Sequence, residues 1–186
     1  MTVFLIALAL IGLAVAILFN MLVQRRQLVN NGWSDIDVQL KRRADLIPSL
    51  VTTVKEYAKH ERDLFSEIIE KRTAAMTAGD DPEARSAAES ALAKPVSKLF
   101  AVAEDYPELK ASENFLDLQR QLGETEDKIE MARRFYNGAV RQMNTLVQSF
   151  PVNLMASGLG FAERRYFEID ASDRATPSID LDGGAV

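Results

Sequence analysis

The chain has 186 residues, 47% hydrophobic and 26% charged, with 22 Lys and Arg against 27 Asp and Glu, for a formal charge of -5. It contains no cysteine, which excludes a disulfide framework, a thiol nucleophile and zinc or iron-sulfur sites built on thiolates. The mildly acidic balance argues against a nucleic-acid binder, which needs a basic stripe to displace counterions from phosphates.

These averages conceal an asymmetry, because residues 1–24 carry no charged side chain at all. Residues 3–23 read VFLIALALIGLAVAILFNMLV, with Asn20 as the clear polar interruption. A helix of that length reaches roughly 30 Å, the thickness of a bilayer's hydrocarbon core. A buried core helix would not be apolar on every face for so long. A cleaved signal peptide fits poorly, since no Lys or Arg precedes the run and no A-x-A motif follows it. The expectation is a retained transmembrane anchor over residues 1–26. Positive charge flanks it only on the C-terminal side, at Arg25 and Arg26 and further on at Lys41, Arg42 and Arg43. That flank should stay in the cytoplasm, with the N-terminus outside.

The remaining ~160 residues suit a single core. From Trp33 a seam steps by three and four through Ile36, Leu40, Arg43, Ile47, Leu50, Val54, Tyr57, Glu61, Leu64, Ile68, Lys71 and Ala75. This is the stripe of a bundle helix packed by a/d layers, and Pro48 inside it predicts a kink or break. Gly79, Asp80, Asp81 and Pro82 end that helix and start the next. The second helix runs to about Ala103, with Ala88, Leu92, Pro95, Leu99 and Val102 on one face, and Tyr106-Pro107 turns the corner. A third, from about Glu108 to Ser149, repeats the stepping through Phe115, Leu122, Glu126, Ile129, Arg133, Tyr136, Val140 and Met143 to Phe150, and Pro151 stops it. The fold class is all-α: an N-terminal transmembrane helix followed by three or four long antiparallel helices over residues 27–170, with a disordered tail at 171–186. The short second helix leaves part of the seam overhanging. Either the helices break at Pro48 or near Gly123 into a shorter four-helix bundle, or a neighbouring subunit covers the overhang.

Arg43, Glu61, Lys71, Glu126 and Arg133 occupy seam positions where apolar residues would pack better. The only histidine, His60, forms no Glu-x-x-His pair, so no carboxylate-bridged metal centre or cofactor is expected. These residues are read as cross-helix pairs that fix register, above all Glu126 and Arg133, with Asn137 and Asn144 extending the polar track by hydrogen bonding. No triad or nucleotide loop is present, because nothing like G-x-S-x-G occurs and the G-x-G at Gly158 and Gly160 lacks its further glycine and lysine.

The run Gly32-Trp33-Ser34-Asp35-Ile36-Asp37-Val38-Gln39-Leu40-Lys41-Arg42-Arg43, continued by Asp45-Leu46-Ile47-Pro48 and Leu50-Val51, closely resembles the signature of LemA family proteins. Tyr57-Ala58 with His60-Glu61, Tyr106-Pro107-Glu108-Leu109-Lys110-Ala111, Glu126-Asp127, Ile129, Ala132-Arg133, Tyr136-Asn137 and Val140 resemble later blocks, and Phe150-Pro151-Asn153 and Gly160-Phe161 close it. Ala44 stands where members commonly carry an aromatic, and Met143 where a tyrosine is usual. The resemblance implies a bacterial cytoplasmic-membrane protein with one N-terminal membrane helix, a cytoplasmic helical bundle and no established enzymatic activity. It also implies a link to envelope processes and to the building of magnetosome membranes.

Together these readings predict a non-enzymatic, membrane-anchored interaction or scaffold protein. Its partners would be the bilayer, further copies of itself and other membrane proteins, not nucleic acid. The alternative is an adaptor or regulatory subunit of a membrane protease or envelope stress-response system.

Overall fold

The computed structural model of the chain describes residues 1–168. The expected tail at 171–186, and the last positions of the expected bundle domain, lie outside the described residues. The elements are α1 (Thr2–Tyr57), α2 (Arg62–Thr77), α3 (Pro82–Glu104), the single turn α4 (Pro107–Lys110) and α5 (Glu113–Gln148). A 3-10 turn at Val152–Leu154 and a strap of residues 161–168 without regular secondary structure follow. The protein is all-helical, with one N-terminal helix of membrane length and a bundle of long helices packed together.

α1 is 56 residues long and runs through position 26 uninterrupted, so the apolar span and the first bundle helix are one rod. None of the apolar window is buried against the rest of the chain. The helix also continues through Pro48, where the sequence predicts a kink or break. Proline removes the N–H that would bond the carbonyl four residues back, here that of Ala44. In its place the Arg72 Nε–H of α2 donates to the Ala44 oxygen at 2.5 Å, and its guanidinium stands 3.8 Å from Asp45. The break falls instead at Ala58–Glu61, where the chain reverses and α2 returns along α1. No break occurs near Gly123, which lies inside α5. The long third helix of the sequence reading is divided at Ala111 and Ser112 into α4 and α5.

The next reversals have local causes. Gly79 takes φ +74 just past α2, a left-handed conformation that a glycine adopts without steric penalty. The Asp81 carboxylate then accepts from the N–H of Ala84 at 3.1 Å, with Pro82 as first helical residue, so α3 starts where the sequence places it. α1 and α3 run one way, α2 and α5 the other, and the upper part of the molecule is a four-helix bundle. Its core gathers Ile47, Leu50, Val54, Phe65, Ile68, Leu92, Leu99, Leu109, Phe115 and Leu122. Burial of each large aliphatic side chain contributes about 1.5–3 kcal/mol.

A second core lies toward the apolar span. There Leu22, Val29, Ile36 and Leu40 of α1 meet Ile129, Tyr136, Val140 and Met143 of α5, covered by Val152, Ala156, Phe161 and Phe167. The helices approach closely at Gly32, where a Cβ would stand 3.0 Å from the Cα of Tyr136. The chain's own C-terminal segment thus covers the overhang that the sequence reading left to a neighbouring subunit or to helix breaks.

The Arg72 bond supports a double-mutant test. Arg72→Met should destabilise the bundle by about 1–3 kcal/mol, because the Ala44 carbonyl is left without a donor. Pro48→Ala in the same chain restores the backbone N–H and should recover much of the loss, as read by chemical denaturation of all four variants.

Candidate functional site

Between the two cores lies a chain of charges that joins three helices. Arg43 of α1 donates through Nη2 to Glu89 of α3 at 2.5 Å and through Nη1 to Glu126 of α5 at 2.8 Å. Glu89 also accepts from Nε of Arg85 at 3.2 Å, and the Nη2 of Arg85 reaches Asp37 of α1 at 3.2 Å. The centre is largely buried: the side chains of Glu89, Arg85 and Arg43 are 7%, 9% and 13% exposed, whereas Asp37 and Glu126 reach solvent. Burial disfavours the charge on Arg43, but Glu89 and Glu126 more than offset it and hold the guanidinium above its ordinary range. Arg43 therefore remains a cation, and its two-pronged geometry sets the register of α1 against α3 and α5 together. Beside it a cleft of about 370 Å³ opens between the three helices, lined by Ile47, Leu92, Val96, Phe100 and Leu122 with Arg43 and Glu126 at one side.

The second arrangement is a clamp on the strap. Asn144 donates to the carbonyl of Arg164 at 2.9 Å and accepts from its N–H at 2.8 Å. Asn137 holds Phe167 in the same two-point way, at 3.0 and 2.9 Å. Seven helical residues advance about 10.5 Å and three extended residues about 10 Å, so the two asparagines match a nearly extended strap running antiparallel to α5. The Tyr136 hydroxyl donates to the carbonyl of Arg165 at 2.8 Å, and burial pushes it above the ordinary phenol value, which keeps it a donor. Trp33 lies between Tyr136 and Phe167, with ring centroids 5.5 and 5.8 Å away. The Ser86 hydroxyl donates to the carbonyl of Glu168, and Arg165 pairs with Asp81 and Glu83, which ties the strap to α3 and the turn before it.

The residues singled out in the sequence thus fall into distinct places. Arg43 and Glu126 meet directly, whereas Arg133 is half-buried with no ion pair among the described residues. Lys71 pairs at 3.5 Å with its own neighbour Glu70, and Glu61 stands at the N-cap position of α2 without a side-chain capping bond. Asn137 and Asn144 bond to the strap and not to another helix. Of the signature residues, Trp33, Tyr136 and Asn137 hold the strap, Ile36 and Leu40 fill the lower core, Asp37 joins the charge chain, and Asp45 and Pro48 surround the Arg72 bond. Arg42 is exposed, and Arg25 and Arg26 lie at the end of the apolar span, bonded to Gln142 and stacked 4.8 Å over the Phe161 ring respectively. Sequence reasoning missed Arg85 and Glu89. Their spacing to Leu92 continues the same three-and-four step, which was the available signal.

Among the described residues no group of three His, Cys, Asp or Glu is placed to hold a metal ion, and His60 is exposed in the turn between α1 and α2. Residues 32–181 match the LemA family. The chain belongs to the LemA family. It is 26% identical over 160 residues to the magnetosome protein MamQ 2 of Paramagnetospirillum magneticum, covering 73% of this chain and 59% of the relative. Similarity to the magnetosome protein MamQ of Magnetospirillum gryphiswaldense is 24% over 172 residues, covering 78% and 62%. The protein LemA of Metamycoplasma hominis is 24% identical over 163 residues, covering 88% and 73%. The chain thus spans about six tenths of the length of the MamQ relatives it matches. It is a bacterial LemA-family, membrane-associated helical protein, in which the signature positions from Trp33 to Pro48 serve strap, charge chain and helix continuity.

Two substitutions separate the buried and exposed ends of the charge chain. Arg43→Met should cost about 1.5–3 kcal/mol, because it removes the charged donor that Glu89 and Glu126 share and leaves the buried Glu89 carboxylate to Arg85 alone. Glu126→Gln, at the solvent end, should cost less than about 1 kcal/mol in the same denaturation experiment. The strap has its own readout: in Asn137→Ala/Asn144→Ala, trypsin should cut after Arg164 and Arg165 faster than in the parent, while the helical circular dichroism stays unchanged.

Proposed function

We propose that this chain is a non-enzymatic, membrane-anchored scaffold that holds a rigid helical bundle against the cytoplasmic face of a bacterial inner membrane. In this reading residues 1–26 form the single-pass anchor with the N-terminus outside, and residues 27–170 form the cytoplasmic bundle. The observation that carries it is α1 itself: one helix contains both the apolar span, unburied except in its last turns, and the central rod of the bundle, so the domain is fixed to its anchor without a linker. The cationic flank at Arg25 and Arg26 favours the cytoplasmic side, and each residue adds about 1 kcal/mol against anionic headgroups.

Self-association is part of the proposal. The relatives named as magnetosome proteins support a role in organising a membrane compartment. On the bundle, Met131 and Phe135 lie one turn apart on α5 with about half of each side chain open to solvent, a modest apolar surface for a second copy or another membrane protein.

The test is crosslinking of the full-length protein in its own membranes, followed by mass measurement in nanodiscs. A ladder of defined oligomers, weakened by Met131→Lys/Phe135→Lys, is the expected outcome. Monomer at native abundance with no stoichiometric partner would overturn the scaffold reading.

A further inference from the structure

The loop that follows α5 is uncharged in the sequence and sits beside the end of the apolar span. Arg141 is the last charged residue on α5, and the next in the chain is Glu163, so residues 142–162 carry no charge. Apart from residues 1–24, no stretch of the chain is uncharged for so long. The two stretches are brought together. Gln142 bonds Arg25, the first charged residue after the span, so α1 and α5 lose their charges at the same level. Beyond that level Leu22 is fully buried in a cluster with Val152, Ala156 and Phe161, Leu18 packs against the same cluster, and the ring of Phe161 lies 5.7 Å from that of Phe19. The loop therefore stands against the last turns of the apolar span. On its return the chain meets charge only at Glu163 and Arg164, which are tied to Gln148 and Asn144.

The outward side of this loop is apolar and open: Phe150 is 80% exposed, Leu154 76% and Leu159 38%. Large side chains this open are unfavourable in water and favourable in the headgroup and upper acyl region, where apolar surface inserts some 5–10 Å. The occupant follows from continuity, since a surface flanking the last turns of a membrane span faces the same bilayer that surrounds the span. Arg26, stacked on Phe161, and Arg25 and Arg141 at the upper edge place cations where phosphates lie.

We infer that residues 149–161 form a second membrane-binding element, a wedge in which Phe150, Leu154 and Leu159 insert into the lipid leaflet next to the anchor. This rests on the reading of residues 3–23 as the span. With two attachments, the bundle is held at one tilt and rotation on the bilayer, where a single helix would leave it free to turn about its own axis.

The protein has no cysteine, so single cysteines can be labelled with an environment-sensitive fluorophore in the full-length chain. The positions are Leu154→Cys in the wedge, Leu10→Cys in the span and Val38→Cys on the exposed bundle surface, each in nanodiscs of phosphatidylethanolamine and phosphatidylglycerol. The expected result is a blue-shifted Leu154 label that loses intensity to lipids brominated near the headgroup and resists aqueous iodide, while the Val38 label shows the reverse. A Leu154 label that behaves like Val38, with Leu10 still quenched by lipid, overturns the wedge and leaves the anchor standing. A blue shift at Leu154 that ignores brominated lipid and vanishes at one copy per disc assigns the loop to a second copy and overturns it too. If Leu10 is itself open to iodide, the anchor falls and the wedge with it.

Discussion

One uninterrupted helix carries both cores of this molecule, and its continuity rests on how the carbonyl of Ala44 is satisfied. A proline inside a helix costs about 3 kcal/mol or more when the freed carbonyl is left to the interior. Here Arg72 supplies the missing donor from the helix that folds back over that turn. The bond does two things at once: it satisfies the carbonyl that Pro48 leaves without its helical donor, and it fixes how far α2 slides along α1. Because α2 leads directly into α3, the placement of Arg85 and Glu89 beside Arg43 follows from the same contact.

The charge chain separates an upper four-helix core from a lower core built of two helices and a strap. Buried ion pairs of this kind add little net stability over apolar packing, since desolvation offsets most of the Coulomb gain. Their value is directional. An apolar seam with a regular repeat tolerates sliding by one heptad, whereas Arg43 can bond Glu89 and Glu126 together in only one alignment. The strap completes the lower core by a different route, presenting its backbone to asparagine side chains and so satisfying peptide groups that lie against a helix face.

Much of this was legible in the sequence, where the cause was local. The apolar span, the three-and-four stepping that buries Ile36, Leu40, Leu50 and Val54, and the Asp81-Pro82 helix start all follow from residues within a turn or two of the feature they create. The departures depend on distant partners. Pro48 reads as a break until Arg72 is known to stand beside Ala44. The reversal at Ala58–Glu61 carries neither glycine nor proline, and the seam steps across it unbroken, so only the demand of Phe65 and Ile68 for a core explains it. Within the candidate site, the sequence marked Arg43 and Glu126 as misfits on the seam without pairing them with each other. The two asparagines showed their polarity and seven-residue spacing but not their partner, because a strap's backbone leaves no side-chain pattern to read.

The clamp on the strap also sets an order of events. A chain made from its N-terminus exposes α1 long before residues 152–167 exist. Until then Leu22, Val29, Trp33 and Tyr136 lack the cover that Val152, Phe161 and Phe167 provide, so the lower core closes last. The upper core, built from residues that precede Gly123, can be complete while the half nearest the span is still open. For a growing chain, that open half is a transient apolar surface held directly beside the membrane-length span.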